Sequence, residues 1–197
     1  MPLMQIDPAV AMIAIGITVR ARTLGLPIPE LNTLELDTQG FQDVLMALEK
    51  RGLKTQPPRE QLFEYRPEVI LEALIKLEME FEGLPLPELD FSTITKVFAL
   101  SQIGKLLGVT EDIRHFAEHT TALPEISQRR AHFLAMTIAD LTGSYSFSGI
   151  TKWFNRKRTK LGGLAPLDVL SGDWEPSDAK ALSVRQLAAS LISLGAT

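Results

Sequence analysis

Apolar residues recur along most of this chain at the three- and four-residue spacing of amphipathic helices. The first half contains three such segments: one after Asp7-Pro8, one carrying Phe41, Val44, Leu45 and Leu48 ahead of Gly52, and one after Arg66-Pro67. A polar residue followed by proline suits the start of a helix, and glycine suits its end. Because no segment shows the sustained alternation of a strand, we predict an all-α protein.

The second half is predicted to contain shorter helices, at 93–100, 102–107, 111–119, 127–141, 147–155, 166–170 and 178–194. The last of these carries an apolar face made by Leu182, Val184, Leu187, Ala188 and Leu191. That face is broad enough to serve both the domain core and a second, protein-binding surface.

The first half also contains an internal echo, because Gly25-Leu-Pro-Ile-Pro-Glu-Leu-Asn32 returns as Gly83-Leu-Pro-Leu-Pro-Glu-Leu-Asp90. Two copies are too few for a solenoid, so we expect a small helical domain with pseudo-symmetric halves. We place this domain of unknown role at residues 1–95 and a second domain at residues 96–197.

Charge supports the division into two parts. Residues 1–95 hold 15 acids and 8 bases, whereas residues 96–197 hold 9 acids and 12 bases. Only the second part is therefore suited to a polyanion. The chain of 197 residues has no cysteine, which excludes disulfides and thiolate metal sites, and its longest apolar stretch is too short to cross a bilayer. We expect a soluble cytoplasmic protein with no membrane partner.

Residues 101–119 follow the pattern of a helix-turn-helix. Gly104 suits a close helix crossing, Gly108 makes the turn, Val109 fills the core and Thr110 caps the next helix. The would-be recognition helix begins with two carboxylates, which repel phosphates, and it offers Arg114 and His115 as donors. Two interpretations remain for this helix: it binds DNA, or it is a retained scaffold whose ability to read a DNA groove is weak or lost.

A dense basic turn follows the helix predicted at 147–155, in which Trp153 is expected in the core. Its candidate phosphate contacts are Lys152, Arg156, Lys157, Arg158 and Lys160, and a solvated turn is the alternative reading. Gly162-Gly163 then stops the helix, and Pro166 suits the first position of the next one.

A competing pattern, His115-Phe-Ala-Glu-His119, matches the inverted zinc-peptidase motif, in which two imidazoles hold zinc and a glutamate activates water. It lies within the helix-turn-helix register and lacks a clear third ligand, so solvent-facing histidines are the preferred interpretation. We expect His132 on a helix surface, and we predict neither a metal site nor a cofactor.

Taken together, residues 98–194 resemble the Xre/MbcA/ParS antitoxin family. The resemblance rests on Leu106-Leu107-Gly108-Val109-Thr110, on residues 149–154 with the basic turn, and on Leu161-Gly162-Gly163 followed by Pro166-Leu167 and Leu170. Asp173-Trp174-Glu175-Pro176 looks like the tail of a related branch. Residues 1–95 lie outside the family's usual pattern, and the acidic recognition helix departs from it.

The resemblance implies a non-enzymatic regulatory protein that binds and neutralises a RES-domain, NAD-degrading toxin and represses its own operon. The residues it implies for partner binding are Gly162, Gly163, Pro166, Asp168, Trp174, Leu187 and Leu191, with Trp174 open between the core and an interface. We also expect a homo-oligomer. The alternatives are a DNA-binding transcriptional regulator without a toxin and, more remotely, a zinc hydrolase.

Overall fold

The computed structural model describes residues 5, 7–26, 28, 37–83, 92–109, 123–142 and 144–194, with the side chains of 192–194 excepted. Every regular element in these ranges is an α-helix or a short 3₁₀ helix, so the predicted all-α class is confirmed. The chain forms two compact units, one made by 1–22 with 26–84 and the other by 23–25 with 85–197.

The first unit contains α1 (Pro8–Thr23), α2 (Thr38–Glu49), a 3₁₀ helix (Leu62–Glu64) and α3 (Pro67–Gly83). Helix α1 begins where the sequence predicts, because Asp7 Oδ1 accepts hydrogen bonds from the backbone N–H groups of Ala9 (2.8 Å) and Val10 (3.2 Å). Most of both echo segments lies outside the described residues.

Helix α2 is amphipathic as expected, with Phe41, Val44 and Leu48 fully buried. The described cations of this unit include three held in ion pairs: Arg20 with Glu78 and Glu82, Arg59 with Glu49 and Glu60, and Lys76 with Glu72. These pairs neutralise basic side chains within a predominantly acidic surface.

The second unit contains α4 (Ser92–Val97), α5 (Leu100–Leu107), α6 (Glu125–Thr142), α7 (Phe147–Asn155), a 3₁₀ helix (Thr159–Leu161), α8 (Pro166–Val169) and α9 (Ala179–Leu194). Helix α6 is central, since it packs against α4, α5, α7 and α9. Thirteen of its 18 residues are buried, on all sides of the helix. The boundary predicted after residue 95 falls inside α4.

Burial of α6 overturns one expectation. His132, expected on a helix surface, is buried with 5% of its surface exposed. Polar and apolar residues alternate irregularly in α6. Its hydrophobic pattern therefore does not show that other helices cover it on several sides. His132 is buried because neighbouring helices cover this side of α6, which the residue type alone does not indicate.

Candidate functional site

The basic turn closes on itself through its main chain. The N–H of Arg158 donates to the carbonyl of Leu164 (2.9 Å), and the N–H of Gly163 donates to the carbonyl of Arg158 (3.0 Å). The 3₁₀ helix Thr159–Leu161 lies inside this loop. These bonds fix the backbone that carries the cations.

The two glycines leave the 3₁₀ helix in the left-handed region, with φ of +65° at Gly162 and +84° at Gly163. A Cβ at either position would have no atom within 4 Å, so backbone conformation and not crowding requires glycine here. Both residues are exposed, as a partner-binding role would need.

Helix α7 is anchored in the core by its aromatic end. The hydroxyl of Ser146 accepts from the N–H of Gly149 (3.4 Å) at the start of the helix. Trp153 is 3% exposed, as expected for a core residue, and its ring meets Phe154 edge-on at 5.1 Å. Phe154 in turn packs edge-on against Phe98 at 4.8 Å.

The cations of the turn are not equivalent. Lys152, Arg156, Lys157 and Lys160 are exposed, whereas Arg158 is half-buried, with its guanidinium carbon 5.1 Å from the centroid of the Trp153 ring. Burial lowers the pKa of Arg158 from its usual value, and the charge of Arg156 lowers it further. The sequence predicted four similar mobile cations within residues 156–160; the structure holds one of them on an indole face.

Helix α8 begins at Pro166 as predicted, and the Asp168 carboxylate accepts from the N–H of Ala165 at 3.1 Å. Asp168 is exposed, and its carboxylate already caps the first turn of α8 through this hydrogen bond. Pro166, expected on the partner-binding surface, is buried, because the short helix turns this ring into the unit. That assignment is corrected.

Trp174 is also a core residue and not an exposed interface residue. Only 4% of it is exposed, its indole N–H donates to the carbonyl of Leu106 (2.9 Å), and its ring meets Phe133 edge-on at 5.4 Å. Of the two positions predicted for Trp174, the core and an interface, the structure shows the core. Its predicted place on the partner-binding surface is therefore wrong.

Arg130 is a buried residue whose structural role the sequence does not indicate. It stacks its guanidinium 5.4 Å from the Trp174 ring, and donates to the carbonyls of Trp174 (2.7 Å) and Leu107 (3.3 Å). The hydroxyl of Ser127 donates to the same Leu107 carbonyl at 2.9 Å. Arg130 and Ser127 together satisfy the carbonyl of Leu107, which lies in the last turn of α5 and has no partner within the helix.

The turn after α5 depends on this arrangement. Gly108 lies at φ +70°, and a Cβ there would overlap Arg130 Nη1. Helix α5 ends at the left-handed Gly108, but Val109, expected to fill the core, is only half-buried. The sequence predicts helices at 93–100 and 102–107, whereas α4 ends at Val97 and α5 begins at Leu100. The second helix of the predicted helix-turn-helix, with Arg114, His115 and the His115–His119 motif, lies outside the described residues.

Helix α9 divides its apolar residues between two environments. Ala181, Val184 and Ala188 are buried, and Arg185 pairs with the buried Asp140 of α6. Leu187 and Leu191 are half-exposed, and Leu182 is 45% exposed. The 3₁₀ helix Thr159–Leu161 and α8 both pack against α9, and Leu164 in the segment that joins them is 43% exposed.

Within the described ranges, no group of three His, Asp or Glu side chains is arranged to hold a metal, and no helix is long and apolar enough to cross a membrane. Comparisons with protein-family models, with curated proteins and with solved structures each returned no match to this chain. The site must therefore be interpreted from its own residues.

Proposed function

We propose that this protein is a non-enzymatic antitoxin that binds and neutralises a RES-domain, NAD-degrading toxin through its second unit. The sequence resemblance over residues 98–194 supports this. The observation that carries it furthest is the exposed apolar Leu164 beside the open Gly162-Gly163 turn, together with Leu187 and Leu191 of α9, which are half-buried and not wholly enclosed by the core.

These leucines can contact a partner because part of each side chain is not buried in the core of the unit. Burying a leucine side chain contributes about 1.5–3 kcal/mol, which is enough to change an affinity more than tenfold. The glycines leave open space beside Leu164 that a partner's side chains can fill. No residue is assigned a catalytic role in this function.

The test co-expresses the chain with a RES-domain toxin from the same genome, followed by co-purification and by measurement of cellular NAD. The native chain should co-purify with the toxin and preserve NAD. Leu164→Glu should lower the affinity at least about tenfold, because a carboxylate would be buried in the contact.

Met79→Glu, which changes an exposed apolar residue of the first unit, serves as the matched control and should bind normally. Failure of the native chain to protect NAD would reject the antitoxin function. Normal binding by Leu164→Glu would reject only this surface.

A second candidate function is DNA-binding transcriptional regulation. It is favoured by α5 and its left-handed Gly108 turn, because a helix-turn-helix begins with a helix that ends in a tight turn. Selection from a pool of random duplexes tests it. Enrichment of one sequence supports an operator-reading regulator, and no enrichment rejects it.

A further inference from the structure

A short segment of the second unit, residues 152–160, carries five cations. We call Lys152, Arg156, Lys157, Arg158 and Lys160 the basic patch. Among the described residues, none of these five cations lies within 4.0 Å of a carboxylate. By contrast, Arg20, Arg59 and Lys76 of the first unit each form an ion pair.

Arg158 is the fixed member of the patch. Its own N–H and carbonyl both close the loop, so its backbone is held at two points. Its guanidinium lies over the Trp153 ring, and its buried Nε has no hydrogen-bond partner. A desolvated guanidinium nitrogen without a partner costs free energy. The indole contact offsets part of that cost and limits the orientations of the side chain.

The other four members are exposed side chains on the same short stretch. They are free to adjust to charges at variable positions, at the cost of their rotamer freedom. The patch thus combines one oriented guanidinium, which suits a fork-like contact with an anionic oxygen pair, with four adaptable point charges.

We propose that the basic patch binds the phosphodiester backbone of double-stranded DNA, with Arg158 as its preorganised contact. Three of the five cations are lysines, which are depleted in protein–protein interfaces but are ordinary phosphate contacts. Between Arg156 and Lys160 there is no large apolar side chain, so this stretch offers a run of charges, which suits a phosphate backbone; the exposed Leu164 lies outside the patch.

This inference rests on the second function proposed above, DNA-binding regulation. It names the segment that supplies the sequence-independent part of the affinity for DNA. Phosphate contacts position a protein on the duplex, and base contacts choose the sequence. Losing the patch should therefore weaken binding to all duplexes by a similar factor.

The experiment titrates the full chain against a fluorescein-labelled random-sequence duplex by anisotropy, at several potassium chloride concentrations. If all five cations contact phosphates, affinity should fall about 500-fold between about 50 and 200 mM salt. The combined change Arg156→Ala, Lys157→Ala and Lys160→Ala should reduce the log–log salt slope by about 2.7, and Arg158→Ala by about 0.9.

A charge-conserving pair tests the preorganisation itself. Arg158→Lys should weaken binding severalfold, because an ammonium group loses the planar stack and the fork, whereas Lys157→Arg should not. Lys180→Ala, which removes an exposed cation of α9 outside the patch, is the control for net charge. Fluorescence-detected unfolding identifies any variant that fails to fold, and the exposed Lys157 and Lys160 variants do not disturb the core.

The outcomes separate the hypotheses. If the native chain binds no duplex at the lowest salt, both DNA-binding ideas fail. If it binds but the patch variants behave like Lys180→Ala, this inference alone is overturned. Equal capture of polyglutamate and DNA, with equal sensitivity to the patch variants, would also overturn it, since the patch would then be a general polyanion surface.

Discussion

Replacing Gly108 with alanine tests whether Arg130 organises the turn after α5. At φ +70° an L-residue costs about 1–2 kcal/mol. The new methyl group would also displace Arg130 Nη1, which donates to the carbonyl of Leu107. A hydrogen bond from a charged donor contributes about 1.5–3 kcal/mol. Gly108→Ala should therefore lower the free energy of unfolding of the second unit by about 3 kcal/mol.

Gly162→Ala is the matched control. Gly162 has a similar φ of +65°, but open space surrounds its Cβ position, so only the conformational cost of about 1–2 kcal/mol should remain. Urea unfolding followed by tryptophan emission measures both variants. The chain's 2 tryptophans, Trp153 and Trp174, both lie in the second unit, so the signal reports on that unit.

A double-mutant cycle isolates the steric part. In an Arg130→Met background the overlap is gone, and Gly108→Ala should cost only about 1–2 kcal/mol. If Gly108→Ala costs no more than Gly162→Ala in the native background, the guanidinium moves aside freely. The argument that its two carbonyl contacts hold it in place would then be refuted.

Three further predictions concern single positions. Gly163→Val should cost about 1 kcal/mol or more through backbone strain at its left-handed φ, and an unshifted thermal midpoint would contradict this. Trp174→Phe should cost about 1–3 kcal/mol in urea unfolding because the buried carbonyl of Leu106 loses its donor, and an unchanged midpoint would mean that another donor replaces the indole. Leu182→Glu should leave stability within about 0.5 kcal/mol while weakening toxin capture if α9 contributes to the interface, and unchanged capture in a pull-down would remove Leu182 from it.

The structure also changes how α9 must be tested. Deleting residues 178–197 would be the direct test of a partner-binding helix, but Ala181, Val184 and Ala188 are buried in the unit's core. The deletion would also leave the buried Asp140 without Arg185, which is strongly destabilising. Loss of partner capture by the truncated chain would therefore reflect loss of folding, and surface substitutions are the informative experiment.

Much of the local structure could be predicted from the sequence. The start of α1 at Asp7-Pro8, the end of α5 before Gly108 and the start of α8 at Pro166 all lie where the residues indicate. Helix caps and glycine turns involve hydrogen bonds between groups a few residues apart, so the chain itself contains both partners. The all-α class follows from the same local information, repeated along the chain.

The candidate site was only partly predictable. The position of the basic turn and of Gly162-Gly163 followed from the residue types, but the distinct role of Arg158 did not. Four adjacent cations look equivalent in the sequence, and only the fold brings one guanidinium over the buried Trp153 ring while leaving its neighbours exposed.

Long-range partners were decided by tertiary packing alone. Trp174 donates to a carbonyl 68 residues earlier in the chain, and Arg130 donates to one 44 residues later. Neither pairing has a sequence signal, because each depends on how α5, α6 and the segment before α9 meet in space. The sequence by itself determined the helix caps and the glycine turns, since those bonds are local, although the break between α4 and α5 follows Val97 and not the predicted residue 100. Which polar side chains became buried was determined by the neighbouring helices that cover them.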